Sequence, residues 1–144
     1  MDENEVIEHL CTYLESQGWC ITSRVAAGDR GIDVVAIHPN KERFFIEAKG
    51  GTSSRPGSSR HGKPYTKTQV FDVTSKGLMQ CLHHIAANKN QVRVAFAYPD
   101  GKSFSDYIDP IKPLLNILGL NLFCVKKNGT VEIIASETRK TDKA

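Results

Sequence analysis

Apolar residues at Val6, Ile7, Leu10, Cys11, Tyr13 and Leu14 recur at intervals of three and four, the spacing of one helical face, and predict a helix from about Asp2 to Gln17. Asp2 and Glu5 have capping-box-like spacing at its start, and Gly18 stands at its stop. Trp19 to Arg24 reads as a short strand and Ala27-Gly28-Asp29-Arg30-Gly31 as a turn. Ile32 to Ile37 is apolar on both faces apart from Asp33, and Arg43 to Lys49 is similar apart from Glu47 and Lys49. His38-Pro39-Asn40-Lys41 joins these segments into a buried hairpin. Phe71, Thr74, Leu78, Cys81, Leu82 and Ile85 mark a second helix from about Thr68 to Ala87, with Thr66 or Thr68 as cap. Val92 to Tyr98 predicts a strand, and Ser105 to Leu118 a third helix whose first turn Pro110 and Pro113 make irregular. Leu120 to Val125 predicts a strand and Thr130 to Ala135 an edge strand after Asn128-Gly129. The order is helix, three strands, helix, strand, helix, strand: an α/β class with a mixed sheet flanked by helices.

The length, 144 residues, suits one domain and leaves no room for a second. Hydrophobic residues at 40% and charged residues at 24% exclude a disordered acidic or basic tail, a coiled coil and a collagenous repeat. No apolar run approaches the ~18 residues of a membrane span, and the acidic start Met1-Asp2-Glu3-Asn4-Glu5 is unlike a secretory signal, so a cytoplasmic protein with no membrane partner is expected. Cys11, Cys20, Cys81 and Cys124 lack metal-ligand spacing and read as buried thiols. His9, His83 and His84 read as surface or rim residues, and Tyr65, Phe71 and Trp19 as packing residues.

Charge sharpens the picture. The net charge is +3, but six Lys or Arg (Lys49, Arg55, Arg60, Lys63, Lys67, Lys76) and His61 fall between positions 49 and 76 against Asp72 as the only acid. Residues 50–67 are rich in Gly, Ser, Pro and basic residues with no periodicity, and read as a flexible basic loop; residues 136–144 read as a disordered tail. Arg55, Arg60, His61, Lys63 and Lys67 are placed to track the phosphates of a nucleic acid.

A hairpin turn centred on Asn40 sets residues whose numbers sum to eighty opposite one another, so Asp33 faces Glu47, and the period of two puts Lys49 on the same face. Opposed carboxylates on apolar strands are costly and raise one carboxyl pKa unless a cation lies between them. A divalent cation resolves the conflict, and hard oxygen ligands suit Mg²⁺ or Mn²⁺.

Gly31-Ile32-Asp33 and Glu47-Ala48-Lys49, set on a buried hairpin after an acidic helix start, resemble the PD-(D/E)xK or restriction-endonuclease-like nuclease superfamily. The resemblance runs from about Asp2 to Val125 and is nearest in flavour to archaeal Holliday-junction resolvases and Mrr-type restriction enzymes, which share the Gly-aromatic helix stop seen in Gly18-Trp19. It implies a metal-dependent DNA endonuclease, with Asp33 and Glu47 as metal ligands, the Ala48 carbonyl as a third, and Lys49 positioning or deprotonating the attacking water. A lysine beside two carboxylates suits positioning better than proton removal. The superfamily usually adds a Glu from the first helix; ideal helical steps align Glu3 with the buried stripe and turn Glu5 and Glu8 away, so Glu3 is the expected ligand. The resolvase pattern has its acid near Ile7, and the sequence departs from it there. Gln69 matches a Gln early in the second helix; on the helical wheel Gln69 and Lys76 lie opposite the apolar stripe, where they suit substrate contact. Related enzymes often dimerise to cut two strands, so a homodimer is a further expectation. The alternative reading is a nuclease-like module that binds nucleic acid without cleaving it.

Overall fold

The computed structural model describes residues 1–26, 28–53, 57, 59, 61–89 and 91–135. The elements, in order, are α1 (Glu3–Ser16), β1 (Cys20–Arg24), β2 (Val34–Ile37), β3 (Arg43–Ala48), α2 (Lys67–Asn88), β4 (Arg93–Pro99), α3 (Lys102–Ile108), a 3₁₀ turn (Asp109–Ile111), α4 (Lys112–Ile117), β5 (Leu120–Val125) and β6 (Val131–Ala135). Asp2 caps α1, its side chain accepting from the Glu5 amide at 2.9 Å, and Glu3 and Glu5 complement the positive end of the helix dipole. The buried face is Val6, Ile7, Leu10, Cys11 and Leu14, as the spacing predicts.

Six strands form one sheet in chain order, β1 to β6. β3, β4 and β5 are parallel to one another; the other neighbouring pairs are antiparallel. Helices on both faces explain why these central strands are apolar throughout. On one face α1 packs on Phe44, Ile46, Ala48, Ala95, Ala97, Phe123 and Val125. On the other, α2, α3 and α4 cover Val94, Phe96, Tyr98, Leu120, Leu122 and Cys124, the alternate positions of β4 and β5. This is the restriction-endonuclease-like α/β architecture.

Three expectations need correction. The third helix is not one helix from Ser105 to Leu118: it starts at Lys102, and at Asp109–Ile111, where Pro110 removes a backbone donor, it tightens into a 3₁₀ turn before α4. The α2 face on the sheet is Val70, Thr74, Gly77 and Cys81; Phe71 and Leu82 are exposed, so the buried stripe is rotated from the expected one. The rotation follows from Gly77, which brings the helix down on Phe96: a Cβ there would overlap the Phe96 ring. Cys20 is exposed on the edge strand rather than buried. Within 50–67, Thr52 pairs with Pro64 and Ser53 with His61, and the Tyr65 amide donates to Gly51 O at 2.8 Å, contacts between residues too far apart for periodicity to reveal.

Candidate active site

The hairpin β2–β3 pairs Val34 with Ile46, Val35 with Phe45, Ala36 with Phe44 and Ile37 with Arg43. Every pair sums to eighty, and continuing the register past Val34 sets Asp33 opposite Glu47. The Asp33 carbonyl accepts from the Val25 amide at 2.9 Å, and its Oδ2 accepts from the Ala48 amide at 2.8 Å. Because the N–H and C=O of a strand residue point to the same edge, the Ala48 carbonyl is directed toward Asp33, while the next amide, Lys49, donates to Ala97 O of β4 at 3.0 Å.

Glu47 is only 3% exposed. Burial, then the Asp33 charge, pushes the Glu47 pKa up to about 8, with Lys49 pulling the other way. Glu3, half-buried at the first turn of α1, is pushed up to about 7 by burial and then by Asp33, again opposed by Lys49. Lys49 Nζ lies 3.9 Å from Glu3 Oε1. Glu5 and Glu8 are exposed. Gly50 allows this approach: a Cβ at Gly50 would overlap the Glu3 amide nitrogen, so only glycine lets α1 start against the end of β3.

Sequence reasoning missed three residues of the site. His84 of α2 is turned inward, its Nε2 2.7 Å from Glu47 Oε1 and its ring edge-on to Phe45. Burial, then the charge of His83, lowers the His84 pKa, while Glu47 is raised, so near neutral pH the contact is a hydrogen bond between uncharged partners rather than a full ion pair. The signal was present: His84 continues the interval Gly77, Cys81, His84 along the buried face, whereas its neighbour His83 is exposed. Arg30 and Gln80 line, with Glu3, Asp33, Glu47 and Lys49, a cleft of about 380 Å³. Arg30 stands three residues before Asp33 in the β1–β2 turn, and Gln80 lies one helical turn before His84.

The expected nucleic-acid contacts lie further out. Arg55 and Arg60 fall outside the described residues. His61, Lys63 and Lys76 are exposed. Lys67 Nζ is 3.0 Å from Asp106 Oδ2 and sits over the Tyr107 ring. The Gln69 side chain accepts from the Thr66 amide at 2.8 Å, completing a capping box that starts α2.

Among the described residues no group of three or more His, Cys, Asp and Glu side chains is placed to hold a metal ion. Asp33 and Glu47 offer hard oxygens, the donor chemistry that suits Mg²⁺ or Mn²⁺, and Mg²⁺ characteristically takes one or two carboxylates and keeps several waters.

No family model and no curated protein matches the chain. Among solved structures it is similar to an XisH family protein from Nostoc punctiforme (14% identity, TM-score 0.55, covering 90% of this chain and 98% of that one). It is also similar to an fdxN element excision controlling factor protein from Anabaena variabilis (16% identity, TM-score 0.56, covering 91% and 98%). Both likenesses bear on the fold, and both span nearly the whole chain. No helix among the described residues is long and apolar enough to cross a membrane.

Proposed function

We propose that this chain is a Mg²⁺- or Mn²⁺-dependent endodeoxyribonuclease of the PD-(D/E)xK type. The observation that carries the reading is the hairpin register that sets Asp33 opposite the buried Glu47, with Lys49 two residues on, at the carboxyl end of a central strand. Apolar strands rarely keep three such charges for stability, because desolvating them costs more than their attraction returns. One neighbour is named as an excision controlling factor, and a role on DNA is the setting proposed here.

Asp33 and Glu47 would hold the ion, and the Ala48 carbonyl faces the same side. The bound ion would acidify a water and neutralise charge building on the phosphate. Lys49 directs the water oxygen at phosphorus; the water gives up a proton to solvent as the new P–O bond forms, the bond to the leaving sugar oxygen breaks, and that oxygen takes a proton from solvent. Glu3 holds the Lys49 ammonium in place, and Arg30 at the mouth of the cleft meets a neighbouring phosphate.

The test is incubation of the purified chain with duplex, branched and single-stranded DNA in Mg²⁺, Mn²⁺ or chelator. Cleavage requiring the metal and abolished by Asp33→Ala, Glu47→Ala and Lys49→Ala is expected. No cleavage of any substrate, or variants that cut as well as the parent, would overturn the reading; metal-independent binding alone would favour the non-cleaving alternative.

A further inference from the structure

A second cavity, about 320 Å³, lies next to the acidic cleft, at the carboxyl ends of β3 and β4. The same two backbone segments serve both: Glu3 and Lys49 line the cleft, while Met1 and Gly51 line the cavity. Only Gly50 separates Lys49, which lines the cleft, from Gly51, which lines the cavity. The Gly51 amide donates to Met1 O at 2.8 Å, fixing the wall between them.

The lining has two characters. Pro64, Tyr65, Pro99 and Phe104 supply flat apolar surface; Phe104 is buried and stacks on Tyr98 with ring centroids 5.9 Å apart. Burial, then the charges of Glu3 and Asp2, pushes the Tyr65 hydroxyl pKa up. A Cβ at Gly51 would meet Pro99 Cγ at 3.3 Å and Phe104 Cε2 at 3.7 Å, so the missing side chain keeps the cavity open on that side. At the rim stand Lys102, whose ammonium is shared with Asp106 at 2.9 Å, and Lys127, which makes no ion pair among the described residues. Asp100 adds a hydrogen-bond acceptor.

We infer that this cavity is a subsite for one unstacked nucleobase of the strand whose phosphate enters the acidic cleft. The inference rests on the nuclease reading and extends it to the form of the substrate: a strand with at least one base out of the duplex stack. Its size lies at the small end of ligand pockets, enough for a single base, and flat rings with lysines at the rim match a base and its own phosphate. Asp100 can accept from an exocyclic amine. A duplex delivers such a base at the cost of unstacking it, whereas a single strand or a branch point delivers it free.

The test compares a short single-stranded oligodeoxynucleotide with the same backbone carrying abasic sites, in Ca²⁺, by fluorescence anisotropy. The parent is expected to bind the base-bearing strand about tenfold tighter, within the range for one stacked base. Gly101→Trp fills the cavity from its edge; Gly101 has extended backbone and a Cβ there meets nothing within 4 Å, so the variant should fold. It should bind both strands with the parent's affinity for the abasic one, and Tyr65→Ala should lose most of the preference. Equal binding of the two strands by the parent, or an undiminished preference in Gly101→Trp, would overturn the inference while leaving metal-dependent cleavage intact. Loss of cleavage together with a retained base preference would remove the nuclease reading alone, and failure to bind either strand would remove both.

Discussion

His84 Nε2 and Glu47 Oε1 lie 2.7 Å apart, joining α2 to the acid that β3 presents. Such contacts fix the orientation of a metal-binding side chain, and removing them typically costs 10- to 100-fold in metal affinity. His84→Ala should weaken Mn²⁺ binding by about that factor, and His84→Gln, which can still donate, should recover part of it. Titration calorimetry against Mn²⁺ checks this without reference to cleavage, and unchanged affinity in both variants would count against the positioning role.

Stability should depend on pH in the direction opposite to that of a salt-bridged carboxylate. Glu47 titrates at about 8 and Glu3 at about 7 in the folded chain, against an ordinary value of 4.5. Between these values the folded state binds more protons than the unfolded one, so the contribution of these two groups to stability is full below pH 4.5 and is lost as pH rises toward 8. In chelator the melting temperature is expected to drop between pH 5 and pH 8.5. Added Mg²⁺ should recover more of it at pH 8.5, where no proton competes. Thermal melts at the two pH values decide, and a flat profile would contradict the assignment.

Asp33→Asn should separate stability from function. At pH 8.5, where Glu47 has given up most of its proton, the change removes one of two opposed charges while leaving an oxygen to accept from the Ala48 amide. Relief of like-charge repulsion is on the order of 1 kcal/mol, a few degrees in melting temperature for a chain of this size. The variant should therefore melt higher than the parent in chelator and fail to bind Mn²⁺ or cleave DNA. A variant that melts lower would show that Asp33 serves the fold.

Two glycines should respond differently to alanine. At Gly77 the added methyl meets the Phe96 ring in the core, and overpacking of this kind costs about 1–3 kcal/mol, more than the ~1 kcal/mol that alanine gains as a helix former. At Gly50 the methyl meets the backbone of Asp2 and Glu3. Gly50→Ala should push the start of α1 off β3, so that cleavage falls further than urea stability does; Gly77→Ala should lose stability first. Urea midpoints and cleavage rates measured side by side distinguish them.

The parts of the site that could be read in the chain are those set by local geometry. Asp33 and Glu47 belong to one tight hairpin whose turn residues fix the register, and Glu3 follows from helical spacing within its own turn. His84 needed the docking angle of α2, which Gly77 sets by letting the helix settle on Phe96; the apolar pattern gave a stripe through Phe71 and Leu82, which the structure leaves exposed. Gln69 shows the converse difficulty: a wheel position facing away from the stripe says nothing of a capping box that engages its amide. The split of the third helix was foreshadowed by Pro110 but not located by it, because a proline excludes a donor without fixing where the axis bends.

The acids come from a hairpin, with Asp33 reaching a backbone amide only fifteen positions on, whereas Glu3 and His84 arrive from segments that must first dock on opposite sides of the sheet. Two strands alone can thus bring the acid pair together, but not restrain it. Any excursion that lifts α2 would leave the carboxylates in place and loosen their aim, so catalytic precision would fade at milder denaturant than metal capture, and the two losses would report separately on the helix and on the ribbon beneath it.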